Sequence, residues 1–195
     1  MGTVYCIRGW EGVYSAGIDE MAKQLNKKGI TAYPYMPEQF PELAKTIIER
    51  YKNVPNHEPI CFIGHSRGVD ASLIIARELD KHGIPVDVIC CLDSVDESVV
   101  PKNVRICYNY WMPGLIGDTN LLRGIPLKQA PGSAGKLYNY NCDAEYSSWR
   151  WPTTDHVTFD DDPVVQSHII QNLLDACPER SQWTPPSPAP VATQK

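Results

Sequence analysis

Residues 61–80 read CFIGHSRGVDASLIIARELD and place Ser66 between Gly64 and Gly68, where a short apolar run passes into an amphipathic stretch. A serine in that frame can act as a nucleophile under three conditions. A strand must deliver it to a turn tight enough to strain its backbone, a helix must begin behind it, and glycines must let the chains pass without Cβ clashes. All three contexts are present: ICFI (60–63), the two glycines, and helical spacing from Val69 onward. A plain strand-to-helix turn is the alternative, because serine and glycine both favour turns.

A serine hydroxyl attacks only when a base takes its proton, and the base needs a carboxylate behind it. The partners are expected in the chain order serine, acid, histidine, on loops beyond the carboxyl ends of strands. His57 precedes the nucleophile, His65 lies inside the motif, His82 ends a helix, and His168, beside the inward Ile169, reads as a helix-surface or packing residue. His156, in the loop WPTTDHVTFDDDP (151–163), is the expected base. The neighbouring Asp160, Asp161 and Asp162 read as the cap and solvated first turn of the following helix rather than as metal ligands. For the acid, Asp93 ends the apolar run VICCL (88–92), where a carboxylate is costly to bury unless paired. Its rival Asp118 sits in PGLIGDTN (113–120), a glycine-rich context typical of a surface turn; Asp93 is the favoured choice. Two backbone amides must face the oxygen on which negative charge develops. One is expected from Arg67 and the other from Trp10, after the turn permitted by Gly9. The Trp10 side chain reads either as a half-buried aromatic or as a wall of an acyl pocket.

These residues need rigid elements to meet. TVYCIRG (3–9), TAYPYM (31–36), PICFIGHS (59–66), VDVICCLDS (86–94), NVRICYNYWM (103–112) and KLYNYNC (136–142) read as strands. Between them Ile18, Met21, Ala22 and Leu25 recur at helical spacing, with Ser15 as N-cap and Gly29 as stop. So do Phe40, Leu43, Ala44, Ile47, Ile48 and Tyr51, then Leu73, Ala76 and Leu79 up to Gly83. The last such set is Val165, Ile169, Leu173 and Leu174 in a helix over 163–177, capped by Asp162. Near-continuous apolar strands alternating with one-sided helices predict a three-layer α/β/α sandwich with a mostly parallel sheet. One domain is expected over residues 1–183, followed by an extended proline-rich tail, TPPSPAPVATQK (184–195).

A formal charge of -5, with 18 Lys and Arg scattered along 195 residues, argues against a nucleic-acid partner. The chain shows no apolar run of the ~20 residues that cross a bilayer and no exported-type leader, so a cytoplasmic setting is expected. Cys6 stands where N-myristoylation needs Ser or Thr. Most of the seven cysteines lie in strand-like runs without C-x-x-C pairing. They read as reduced core thiols, with one exposed thiol near Cys142 or Cys177 and disulfides the alternative for an exported chain.

With GHSRG (64–68) and CLDSVD (91–96) in place, the chain resembles a small α/β-hydrolase of the lipase and esterase kind over residues 3–177. Plant chlorophyllases and several lipases share a GHSRG elbow and an LD-x-V or LDP stretch that supplies the acid. The resemblance implies Ser66 as nucleophile, Asp93 as acid, His156 as base, and Arg67 and Trp10 as oxyanion donors, without metal or organic cofactor. It implies hydrolysis of a small-molecule or lipid-like carboxylic ester through an acyl-serine intermediate. Arg8, Val69 and Ser94 depart from residues usual in those stretches, and there is no long lid insertion, departures that bear on substrate rather than chemistry. Thioesterases, acyltransferases and peptidases use the same constellation. A non-catalytic binding protein on this scaffold is expected to lack a triad member. Leu115, Ile116, Leu121 and Leu122, in the segment 113–136, read either as a short apolar cover or as ordinary packing. Tyr108, Tyr110, Trp111, Trp149 and Trp151 read in the same two ways, as an aromatic pocket or as packing.

Overall fold

Among the described residues, the apolar runs become strands and the one-sided amphipathic runs become helices that cover them. The computed structural model describes residues 1–10, 15–54, 56–96, 99–113, 124–142 and 156–178. In order these form β1 (Thr3–Ile7), α1 (Ala16–Lys27), β2 (Thr31–Tyr35), α2 (Phe40–Tyr51), β3 (Ile60–His65), α3 (Arg67–Asp80) and β4 (Val86–Leu92). There follow β5 (Val99–Val100), β6 (Val104–Trp111), β7 (Lys128–Gln129), β8 (Lys136–Asn141) and α4 (Pro163–Ala176).

Six strands make one sheet in the order β2-β1-β3-β4-β6-β8, and every pairing in it is parallel. Parallel strands need both faces covered, and the side chains divide accordingly. Val4 and Cys6 of β1 face a core built with Ile18, Met21 and Leu25 of α1 and Val165, Ile169 and Leu173 of α4. Tyr5 and Ile7 face the opposite core with Leu43 and Ile47 of α2 and Leu73, Ala76 and Leu79 of α3. The three-layer α/β arrangement is therefore present. Pro34, which has no N–H to give a ladder, is tolerated because β2 is the edge.

Among the described residues no helix separates β4 from β6, as the short spacing predicts; the connection instead holds β5, which pairs in parallel with β7. That two-stranded ribbon has no signature in the sequence, since neither strand is long enough to show a period. Gly29 and Gly83 end α1 and α3 at φ +82° and +66° with no neighbour near the Cβ position. Among the described residues no helix is long and apolar enough to cross a membrane. All seven cysteines are free and buried, Cys142 and Cys177 included, which overturns the expectation of one exposed thiol. Two aromatic residues of β6 are engaged in packing: Tyr108 stacks on Tyr138, and the fully buried Tyr110 hydrogen-bonds His168 Nδ1 at 3.0 Å. His168 is thus the packing residue expected. Trp149, Trp151, Leu115, Ile116, Leu121, Leu122 and the tail 184–195 lie outside the described residues.

Candidate active site

The strand order reverses between β1 and β3, where the chain leaves β1 toward one side and β3 lies on the other. In a parallel sheet the crevice at the carboxyl ends of two such strands is the natural place for a site. Register brings the ends together: Ile7 opposite Gly64, His65 opposite Leu92, Leu92 opposite Tyr110. Ser66, Asp93 and Met112 therefore follow three adjacent strands at one rim.

Ser66 sits in a strained conformation, φ 54° and ψ -120°, between β3 and the first residue of α3. A non-glycine residue held there costs about 1–3 kcal/mol, and the surroundings must over-determine it. They do so with a hydrogen bond from Ser66 N–H to Leu92 O (2.8 Å) and one from Val69 N–H to Ser66 O (2.9 Å). The glycines are sterically required. A Cβ on Gly64 would lie 2.5 Å from Gly68 O, and one on Gly68 would lie 2.1 Å from Ile7 O.

Asp93 also has a positive φ, 51°, which turns its side chain from the end of β4 toward β6. It is fully buried, and Oδ1 accepts from Met112 N–H at 2.7 Å. Gly124 closes over it: a Cβ there would fall 2.1 Å from Asp93 Oδ1. Asp70 on α3 accepts from Ser94 Oγ (3.4 Å) and Asp96 N–H (3.3 Å), which ties the turn after Asp93 to the helix behind Ser66.

His156 bridges the two. Its Nε2 is 3.0 Å from Ser66 Oγ and its Nδ1 is 3.1 Å from Asp93 Oδ2, and all three residues are buried. The carboxylate only accepts, so Nδ1 carries the proton and Nε2 presents a lone pair to the hydroxyl. The three residues chosen from sequence thus converge, although 90 positions separate Ser66 from His156. Asp118 lies outside the described residues. Arg67 is the exposed first residue of α3, directly after Ser66. Trp10 is 64% exposed, so its side chain is not the half-buried aromatic that one reading expects.

Sequence reasoning missed what lies beneath this row. Ser15 makes no capping bond to α1; its Oγ accepts from Gly9 N–H at 2.8 Å. Asp162 caps α4 as expected, accepting from Val164 N–H (2.9 Å) and Val165 N–H (3.2 Å). Asp160, read as part of a solvated turn, is instead fully buried beside His65, with Oδ2 accepting from Ile18 N–H at 3.1 Å. Only Asp161 of the three is exposed. Burial, then the neighbouring Asp161, raises the Asp160 carboxyl to about 7. Burial, then the nearby His156, lowers His65 to about 4, against the hydrogen bond it makes to the His156 carbonyl.

A carboxyl raised on folding binds more protons folded than unfolded, so its stabilising contribution is full below its unfolded value and fades as pH rises to about 7. Asp160→Asn removes that dependence while keeping an acceptor for Ile18. Relative to wild type, the variant is expected to be least stable near pH 4 and to gain as pH approaches 7, by up to ~1.4 kcal/mol per pH unit. Urea unfolding of both proteins across this range measures the difference. A constant gap would mean that Asp160 is ionised throughout.

Compared with protein-family models and with curated proteins, the chain matches none.

Proposed function

We propose that this chain is a serine hydrolase of the α/β-hydrolase kind that cleaves a small or lipid-like carboxylic ester through an acyl-serine intermediate. The observation that carries the reading is the unbroken row Asp93–His156–Ser66, at 3.1 and 3.0 Å, ending on a serine in strained backbone at a strand-to-helix turn. In the reaction His156 Nε2 takes the Ser66 proton as Oγ bonds to the carbonyl carbon, and Asp93 stabilises the imidazolium. That proton passes to the leaving alcohol; water, deprotonated by the same nitrogen, then releases the acid. The charge on the carbonyl oxygen falls to the Arg67 amide at the start of α3 and to Trp10. Support for Trp10 comes from its neighbours: Arg8 N–H is engaged by Tyr35 O and Gly9 N–H by Ser15 Oγ, so the next amide along the loop is that of Trp10. Seven buried free thiols support a reducing, cytoplasmic setting.

A fluorophosphonate reports the one property at issue, activation of a serine. The protein is expected to take up one equivalent, with the adduct mapping by mass spectrometry to Ser66. No uptake, or an adduct elsewhere, overturns the reading.

A further inference from the structure

His65, Ser15 and Asp160 are buried to 2%, 1% and 0% exposure directly behind the candidate triad, and the reaction just described uses none of them. Their hydrogen bonds have a direction that can be worked out. The His156 carbonyl can only accept, so the 2.8 Å contact from His65 Nε2 places a proton on that nitrogen. In the neutral ring Nδ1 is then an acceptor, 3.4 Å from Ser15 Oγ, whose O–H supplies the donor. The same oxygen accepts from Gly9 N–H at 2.8 Å. One chain of donors thus runs from Gly9, beside Trp10, through Ser15 and His65 to the main chain of His156. Asp160 closes the far side: Oδ1 lies 3.6 Å from His65 Nδ1 and makes no hydrogen bond among the described residues, while Oδ2 and the main-chain oxygen anchor Ile18 N–H and Gln166 Nε2.

Loop residues such as 156 have no ladder to hold them, yet the His156 ring must present Nε2 to Ser66 within a few tenths of an ångström. The side chain that fixes its carbonyl belongs to the residue immediately before Ser66, so base and nucleophile share one anchor. A Cβ on Gly9 would meet Ser15 Oγ at 3.2 Å and His65 Nδ1 at 3.3 Å, which leaves this stretch of loop little room to shift. We propose that His65 is a positioning residue, holding His156 against Ser66 through its Nε2–H and, through Ser15, setting the Gly9–Trp10 loop to the same frame. The reaction it serves is the one proposed above, and in that respect the inference rests on that reading.

The test compares His65→Leu, which keeps the bulk and loses the donor, with His65→Gln, whose side-chain amide can restore an N–H at the Nε2 position. Two readouts are taken on the full chain: the ¹⁵N imidazole spectrum and titration of His156, and the rate of fluorophosphonate labelling. His65→Leu is expected to lose the single Nδ1–H tautomer of His156 and to label about 10- to 100-fold more slowly, with Gln recovering most of both. A packing role alone predicts that Gln is no better than Leu, and that result, or a His156 spectrum unchanged in the Leu variant, overturns the proposal. Should His65→Leu fail to fold, Ser15→Ala keeps His65 in place and is expected to slow labelling by at least about threefold; an unchanged rate there also overturns it. Wild type that never labels removes the hydrolase reading alone, since the His156 spectra still decide whether His65 positions that ring.

Discussion

Ser66→Ala is expected to lower ester turnover by about 10⁴- to 10⁶-fold, the loss that follows when the nucleophile of a triad is removed. Nothing else about the molecule should change much. The substitution deletes one oxygen from a residue that already carries a Cβ in its strained conformation, so no new clash arises at φ 54°. The Leu92 carbonyl still receives the residue 66 amide, because that bond is made by the backbone. His156 loses one partner but keeps Asp93. The expected outcome is therefore a protein with wild-type melting and no fluorophosphonate adduct. Retained turnover on a short aryl ester would place the chemistry at another residue.

Asp93→Asn is expected to cost two to four orders of magnitude. Asp93 Oδ2 now accepts from His156 Nδ1–H, and this acceptance leaves Nε2 unprotonated toward Ser66. An asparagine whose NH₂ group faces Nδ1 would favour the opposite tautomer, and neither orientation offers charge to the imidazolium. The Met112 amide, which donates to Oδ1, biases the asparagine oxygen toward itself and hence the NH₂ toward the ring. The geometry thus selects the damaging orientation. Steady-state kinetics at saturating ester separate the effect from binding, because the lost interaction develops in the transition state and should appear in kcat. Asp118→Asn serves as the contrast, with an expected change below about tenfold. An exchange of the two effects would move the acid to Asp118.

The strands of the six-stranded sheet, the helices and the three members of the row are legible because each has a local signal, whereas β5 and β7 are too short to carry one. Apolar runs mark β3 and β4, the glycines at 64 and 68 mark a close passage, and a carboxylate directly after VICCL marks a buried charge in need of a partner. Asp160 and Ser15 were misread for a shared reason. A run of aspartates before a proline-led helix, and a serine before an amphipathic run, carry the local pattern of caps. What overrides that pattern is the docking of residues 156–162 onto the start of α1, where a Cβ on Gly17 would lie only 1.9 Å from Asp160 O. That contact joins segments 143 positions apart (160 − 17), and no single-sequence period reports it. His65 likewise carries no local signal: inside the motif its neighbours in sequence are glycine and serine, while its neighbours in space are Ser15, His156 and Asp160.

The all-parallel sheet also governs when the site can come into being. Parallel neighbours cannot be joined by a tight hairpin, so each pairing in the six-stranded sheet closes a loop of chain, shortest between β4 and β6, before its contacts repay the entropy. During synthesis from the amino end, Ser66 and its elbow can form once β4 has been made, but residue 156 follows only after both β6 and β8. An elbow without its base is a serine of ordinary reactivity, however strained its backbone. On the reading proposed above, a nascent or partly folded chain would lack its base, because His156 reaches Ser66 only when residues 156–162 and α4 settle against α1.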